Sequence, residues 1–381
     1  MKLAKRLDHF SEYIFADLNK KVKEVETRSG RPVFSLAIGN PDFPPSKKYV
    51  NKLQDLIKEK DAHHYPGYGA TPIFAESLIS WYKKKFEVEI NDSELLPLIG
   101  SKDGITHLAL TLLDEGDEVL IPDPGYPAYV GACLMVGAKP VSYNLTSEND
   151  FKINIEDIRH KISSKTKLIW LNFPSNPTGQ IISKIELEKI VQLAIKHRIW
   201  IAYDNAYSEI YFGKDKPPSI LEIPNAKKVA IEFNSLSKTF SLAGYRLGWA
   251  VGNNKLIGAL AKVKSQFDSG LSLPLQRLAA FCFSSPDKEW RSKMLANYQQ
   301  RAQILSEYLP KLGLSFSLPK ASLYIWAKIP DEFEDSEEFS KKLLEEKQIL
   351  VTPGTAFGEN GKRYVRISIS SNLERIYEYI R

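Results

Sequence analysis

Between residues 95 and 251 the chain repeats one pattern, and that pattern limits the possible folds more than any other feature. A short apolar run rich in β-branched residues ends in a polar or glycine-containing loop, a stretch at helical spacing follows, and another apolar run begins. The runs are residues 95–99, 118–121, 141–143, 167–172, 198–203, 229–233 and 247–251. Helical stretches at 105–113 and 185–196 separate members of the series. Strands alternating with helices predict an α/β domain whose mostly parallel, seven-stranded sheet is covered on both faces. In such a sheet ligands sit beyond the carboxyl ends of the strands, so the chemistry is to be sought in the loops that follow the runs.

The loop after the sixth run reads S-L-S-K-T-F-S-L-A-G-Y-R-L-G from Ser235 to Gly248. Two hydroxyls, Ser235 and Ser237, stand beside Lys238, and Arg246 follows among small residues. Two cations, hydroxyls and free amides at a strand end suit a phosphorylated ligand, although single basic residues also decorate ordinary surface loops. The first run delivers Gly100-Ser101-Lys102-Asp103-Gly104 to a helix start, where unpaired amides and the helix dipole attract phosphate. Pro122-Asp123-Pro124-Gly125-Tyr126-Pro127 is a stiff loop with one aromatic, which suits a ring lying against a planar ligand or a packed turn. Asn176 opens N-P-T-G, a plausible turn anywhere.

The fifth run ends at Asp204, with Tyr207 three residues on. A carboxylate at the end of an apolar strand is costly unless a cation or donor meets it, and a pyridinium N–H is one such partner. A helix N-cap is the other role open to it. Near the C-terminus, Arg366 stands between Val365 and Ile367 in a strand-like stretch, 363–369. An arginine turned inward there needs a carboxylate to grip bidentately; turned to water on an edge strand, the reading given to Arg363, it needs none.

Together these loops resemble the segments of class I and II aminotransferases, fold type I enzymes that carry pyridoxal 5'-phosphate (PLP), and the resemblance extends from Gly39 to Arg366. It implies that Lys238 forms the Schiff-base linkage to the cofactor and later shuttles the substrate proton. Ser101, Lys102, Ser235 and Arg246 would hold the phosphate, Tyr126 would stack on the ring, and Asp204 would keep a proton on the ring nitrogen. Asn176 and Tyr207 would share the 3-oxygen; Gly39, Asn176 and Arg366 would receive the substrate. Tyr65, followed by Pro, matches a tyrosine that reaches the cofactor phosphate of a second subunit, with the loop 268–270 at the same interface. A homodimer with shared active sites follows, built from a large PLP-binding domain (46–285), an N-terminal arm with part of the small domain (1–45), and a C-terminal small α+β domain (286–381). As residues alone, Tyr65 and Tyr126 also read as packed turn tyrosines. The stretch around Gly67 and Gly69 lacks the third glycine and preceding strand of a dinucleotide loop.

Composition narrows the remaining classes. The 52 basic and 46 acidic residues are spread along the chain, leaving a net charge of +6 and no nucleic-acid footprint. Lys83-Lys84-Lys85 reads as a solvated helix face. Cys133 and Cys282 stand in no metal or redox spacing, and His63 and His64 lack further ligands, so no metal is expected. A first helix over 7–27 without an unbroken apolar segment is not a secretion signal, and no run reaches the ~18 apolar residues of a membrane span. The expectation is a cytoplasmic enzyme working on small molecules.

The resemblance implies transfer of an amino group from an L-amino acid to a 2-oxo acid by a ping-pong course, with 2-oxoglutarate as acceptor. A PLP β-lyase of the same fold would share every cofactor residue. A PLP-binding regulator would need a DNA-binding extension that these residues do not contain. Several motifs, among them the stretch 203–209, look like those of LL-diaminopimelate aminotransferases, where an acidic residue after the Tyr65 position holds the distal ammonium. Here Gly67-Tyr68-Gly69-Ala70 offers no carboxylate, which points to an acidic or neutral donor, with diaminopimelate as the alternative.

Overall fold

A computed structural model describes residues 2–10 and 14–380. After a two-residue strand β1 (Phe34–Ser35), the central sheet is built from β2 (Leu95–Leu98), β3 (Glu118–Asp123), β4 (Lys139–Asn144), β5 (Thr166–Asn172), β6 (Trp200–Asp204), β7 (Ala230–Ser235) and β8 (Gly248–Gly252). Their spatial order is β2-β8-β7-β6-β5-β3-β4. β3 to β7 run parallel, and only β8 opposes its neighbours. The expected seven strands are therefore present, in a sheet that is parallel apart from one member.

Double burial explains why most of the runs read as predominantly apolar rather than alternating. Successive side chains on a strand point to opposite faces. Leu120, Leu171 and Tyr203 enter the core that includes Phe74, Leu78 and Leu278, while Val119, Trp170 and Ala202 enter the core beneath the helices Ser101–Leu112, Ala128–Met135 and Asn254–Lys264. With apolar neighbours on both faces, alternation disappears. The helix Lys184–His197 is fixed at its start by a capping box between Ser183 and Glu186.

A second sheet, in the order β12-β13-β10-β9, uses β9 (Ser315–Phe316), β10 (Tyr324–Lys328), β12 (Thr352–Pro353) and β13 (Tyr364–Ser368), all antiparallel to their neighbours. Beside it β1 pairs in parallel with β11 (Ile349–Leu350). Phe34 and Leu36 share its core with Tyr298, Leu305, Ile325 and Ile367. The helix Lys288–Tyr308 enters this core, capped by Asp287, whose carboxylate accepts from Trp290 N at 3.0 Å.

Some expectations shift. The N-terminal helix is Ile14–Ser29, preceded by a 3-10 turn at Lys5–His9; the part expected over 11–13 lies outside the described residues. The stretch 321–326 reads from its alternating faces as a strand, but β10 starts only at 324, because Ala321 bridges to Tyr211 and Ser322 adopts φ +68°. Lys85 departs from the solvated face: its side chain is 14% exposed and meets Glu209, whereas Lys83 and Lys84 face water. Among the described residues no helix is long and apolar enough to cross a membrane.

Candidate active site

The carboxyl ends of the parallel strands and the face of the second sheet enclose a cleft of about 500 Å³. Every site residue singled out from the sequence lines it except Tyr65. Register brings the loops together: Asn172 of β5 pairs with Asp204 of β6, which pairs with Phe233 of β7.

One end is a cradle of hydroxyls, amides and cations. Gly100, at φ +78°, caps the helix that begins with Ser101 and Lys102. A Cβ at Gly100 would fall 2.3 Å from Nη2 of Arg246, and one at Gly248 would fall 2.7 Å from Ser101 N. The two glycines let the guanidinium and β8 close onto the helix start. Ser235 caps the turn Leu236–Thr239, accepting from Ser237 N at 3.1 Å, and its Oγ lies 2.8 Å from Ser237 Oγ. Ser237, named in the sequence beside Lys238, lines the cleft as well.

The opposite end is held by Asp204. Its Oδ2 accepts from the Tyr129 hydroxyl at 2.8 Å and its Oδ1 from Ala206 N at 3.3 Å. Burial pushes the Asp204 carboxyl up to about 6, against the pull of these two bonds. Tyr129 is itself fixed by stacking on Trp170, centroids 4.6 Å apart at 12°. Tyr126 meets the Tyr129 ring edge-on at 5.7 Å. Asn172 donates to Asp204 O at 3.0 Å and accepts from Asn176 N at 2.9 Å, so one side chain sets both neighbouring loops.

Between the ends lies Lys238, whose Nζ donates to Gly39 O at 2.7 Å and sits 5.6 Å from the Tyr207 ring centre. Burial lowers its ammonium to about 7, and the charges of Arg366 and Arg246 add to the effect. Arg366, 3% exposed, donates through Nη1 to Asn176 Oδ1 at 2.9 Å and through Nη2 to Ala37 O at 2.8 Å. Its guanidinium lies 4.2 Å from the Tyr324 ring centre and 4.8 Å from that of Phe357. Arg363, by contrast, ties the turn at Pro330 and Phe333 on the outside.

Tyr65 is 87% exposed and stands apart from the cleft of its own chain. Its loop backs onto residues 268–270: a Cβ at Gly270 would lie 1.9 Å from Gly67 O.

Tyr129, Asn172 and Tyr324 were not anticipated as site residues. Asn172 carried a faint signal, a polar residue closing an apolar run; Tyr129 and Tyr324 read as ordinary packing positions.

Four cations, Lys102, Lys238, Arg246 and Arg366, converge on a cleft whose lining includes one carboxylate, Asp204, among the described residues. Such a cavity suits a ligand with a phosphate at one end, a carboxylate near Arg366 and a protonated ring nitrogen against Asp204. PLP and an amino acid together have those groups, and Ser101, Lys102, Ser235, Ser237 and Arg246 line the cleft where the phosphate would lie.

Comparison with known proteins gives the same result by an independent route. A family model described as aminotransferase class I and II matches residues 31–380. The LL-diaminopimelate aminotransferase of Dehalococcoides mccartyi is 40% identical over 377 residues, 99% of this chain and 96% of that protein. That of Aquifex aeolicus is 39% identical over 374 residues, 98% of this chain and 96% of that protein. Among solved structures, substrate-bound BacF from Bacillus subtilis superposes with a TM-score of 0.92 at 34% identity, covering 100% of this chain and 96% of that one.

Proposed function

The chain belongs to the aminotransferase class I and II family, PLP enzymes that move an amino group from an amino acid to a 2-oxo acid, and on that premise we propose the roles of its residues and the charge class of its donor. When bound, PLP supplies an electron sink for the substrate carbon that loses its proton. Asp204 holds a proton at the ring nitrogen, steadied by Tyr129. Ser101, Lys102, Ser235, Ser237, Arg246 and the amides of the helix start bind the phosphate, and Tyr126 flanks the ring. Asn176 accepts from Arg366 with its Oδ1, which leaves its amide nitrogen to donate to the 3-oxygen beside Tyr207. Arg366 orients the donor through its α-carboxylate. Lys238, whose ammonium is lowered from its ordinary range by burial, takes the Cα proton and returns it; a positioned shuttle of this kind accelerates a reaction by roughly 10²- to 10⁴-fold.

The donor we propose is a neutral or acidic L-amino acid, with 2-oxoglutarate as acceptor. The observation that carries this is the cleft's charge: its one carboxylate among the described lining residues, Asp204, is engaged by Tyr129 at the ring end. A distal ammonium would lack a charge-assisted partner, a loss of ~1.5 to 3 kcal/mol. LL-diaminopimelate is the second reading, favoured by relatives of that name at about 40% identity over nearly their whole length. Half-reactions followed by cofactor absorbance across aspartate, glutamate, alanine, aromatic amino acids, lysine and LL-diaminopimelate decide between them. The highest kcat/KM with LL-diaminopimelate would overturn the charge argument. Pyruvate and ammonia as products would instead identify a β-lyase.

We further propose a cytoplasmic homodimer with shared sites and the domain division 1–45, 46–285 and 286–381. Large exposed side chains, Tyr65, Tyr68 and Phe267, flank the contact of Gly67 with Gly270 and support the dimer. Mixing Tyr65→Phe with Lys238→Ala chains tests it: activity should return in the mixed dimer, and its absence despite proven subunit exchange would place the whole site in one chain.

A further inference from the structure

We infer that Tyr324 is a positioning residue for the transamination site: its hydroxyl donates to the Tyr207 hydroxyl, leaving the Tyr207 proton for the cofactor's 3-oxygen, while its ring holds the face of Arg366. The inference rests on the reading of Tyr207 given above.

The two hydroxyls are 2.9 Å apart, and both side chains are buried. A phenol has one proton to donate and can accept as well. If Tyr207 spends its proton on the 3-oxygen, the bond between the two tyrosines exists only with Tyr324 as donor. A hydroxyl that accepts a hydrogen bond donates a stronger one, because bonds in a chain polarise one another. Burial holds the Tyr207 phenol well above its ordinary range, so it keeps the proton it must donate.

The fold explains how one side chain serves two groups. Tyr324 opens β10 and pairs with Ser368 of β13, while Arg366 of β13 pairs with Trp326. Tyr324 and Arg366 are thus diagonal neighbours across the ladder, within reach for an aromatic and a long side chain. The observed separation of 4.2 Å between guanidinium carbon and ring centre is a cation–π contact. The Tyr324 hydroxyl also occupies the space a side chain at Gly39 would need, 2.0 Å from a Cβ there, and Gly39 O receives Lys238 Nζ. The second sheet therefore contacts the 3-oxygen partner, the carboxylate partner and the backbone holding the shuttle lysine through a single tyrosine.

The test uses the PLP-loaded enzyme and four variants: Tyr324→Phe, Tyr207→Phe, the double variant, and Tyr324→Leu. The readouts are the pH midpoint of the visible absorbance without substrate, the PLP Kd, and kcat and KM separately. A donor at the 3-oxygen stabilises its anionic form and makes the linked nitrogen less basic, so weakening the donor raises the midpoint. Tyr324→Phe should raise it by about half a pH unit and lower kcat about 5- to 10-fold, with KM and PLP Kd within about 3-fold. Tyr207→Phe should raise it further, and the double variant should match Tyr207→Phe alone, since Tyr324 acts through Tyr207. Tyr324→Leu, which removes the ring, should also raise KM about 10-fold. A shift in Tyr207→Phe with none in Tyr324→Phe, or additive shifts in the double variant, would overturn the inference alone. An unmoved midpoint in Tyr207→Phe would overturn the reading of Tyr207, and the inference with it.

Discussion

At the scale of single residues, Lys238 is the sharpest case. In the cofactor-free protein its ammonium is lowered to about 7 by burial and by two arginine charges. Reductive methylation of that protein, traced by peptide mapping, should therefore label Lys238 with half-maximal rate near pH 7, well below the range of surface lysines. After loading with PLP and borohydride reduction, the cofactor should map to the same residue and vanish in Lys238→Ala; a label elsewhere contradicts the assignment. Arg366→Ala should lower kcat/KM by about 2 to 4 kcal/mol while PLP binding survives, the loss expected for a buried charged hydrogen-bond partner. Loss of PLP affinity with normal residual kinetics would make Arg366 structural. These residues stood out in the sequence because each is a charged residue that follows or interrupts an apolar run, Lys238 after β7 and Arg366 within β13, where its cost demands a partner. Tyr129 and Tyr324 did not, because a tyrosine inside an apolar stretch reads as ordinary core and its hydroxyl does not say which partner it meets; only tertiary proximity to Asp204, Tyr207 and Arg366 gives them a part.

At the scale of elements, strands were easier to read than helices. Burial on both faces makes β5 to β8 predominantly apolar, with Glu232 the buried exception inside β7, and their ends fall within two residues of expectation. The helices Ala128–Met135, Leu273–Ser284 and Ser336–Lys347 escaped notice, because their apolar faces are set by what packs on them. The cradle at Gly100 shows what an element boundary does for function. Its φ of +78° and its approach to Arg246 both exclude a side chain. Gly100→Ala should raise the PLP Kd by about tenfold or more, with circular dichroism unchanged; a tight-binding variant would mean that the helix start can shift without loss.

At the scale of the whole molecule, the two sheets meet at one cleft, and the chain crosses between them early, when Phe34 and Leu36 enter the core of the second sheet. That long-range crossing is not readable from local pattern, which offers residues 33–42 only as a short strand leading into a turn; the strand is the two-residue β1. The opposed displacements of Asp204 and Lys238 have a consequence for the stability of the entire chain. Without cofactor, folded Asp204 keeps its proton to about pH 6 where the unfolded group releases it near 3.8, so stability falls as pH rises through that window. Lys238 keeps its proton to 10.5 when unfolded but only to about 7 when folded, so stability falls as pH drops through that second window. Near neutrality both penalties act, at ~1.4 kcal/mol per pH unit of displacement. A ligand that brings a pyridinium to Asp204 and engages the lysine amine removes them, and at a hundredfold excess over its Kd any ligand specific for the native state adds about 2.7 kcal/mol. Calorimetry at pH 7 should therefore show Tm rising by several degrees with PLP, and an unchanged Tm at saturation would contradict this. The chain that waits for its cofactor is a less stable protein than the one that holds it, so cofactor supply sets how much of the enzyme survives as well as how much is active.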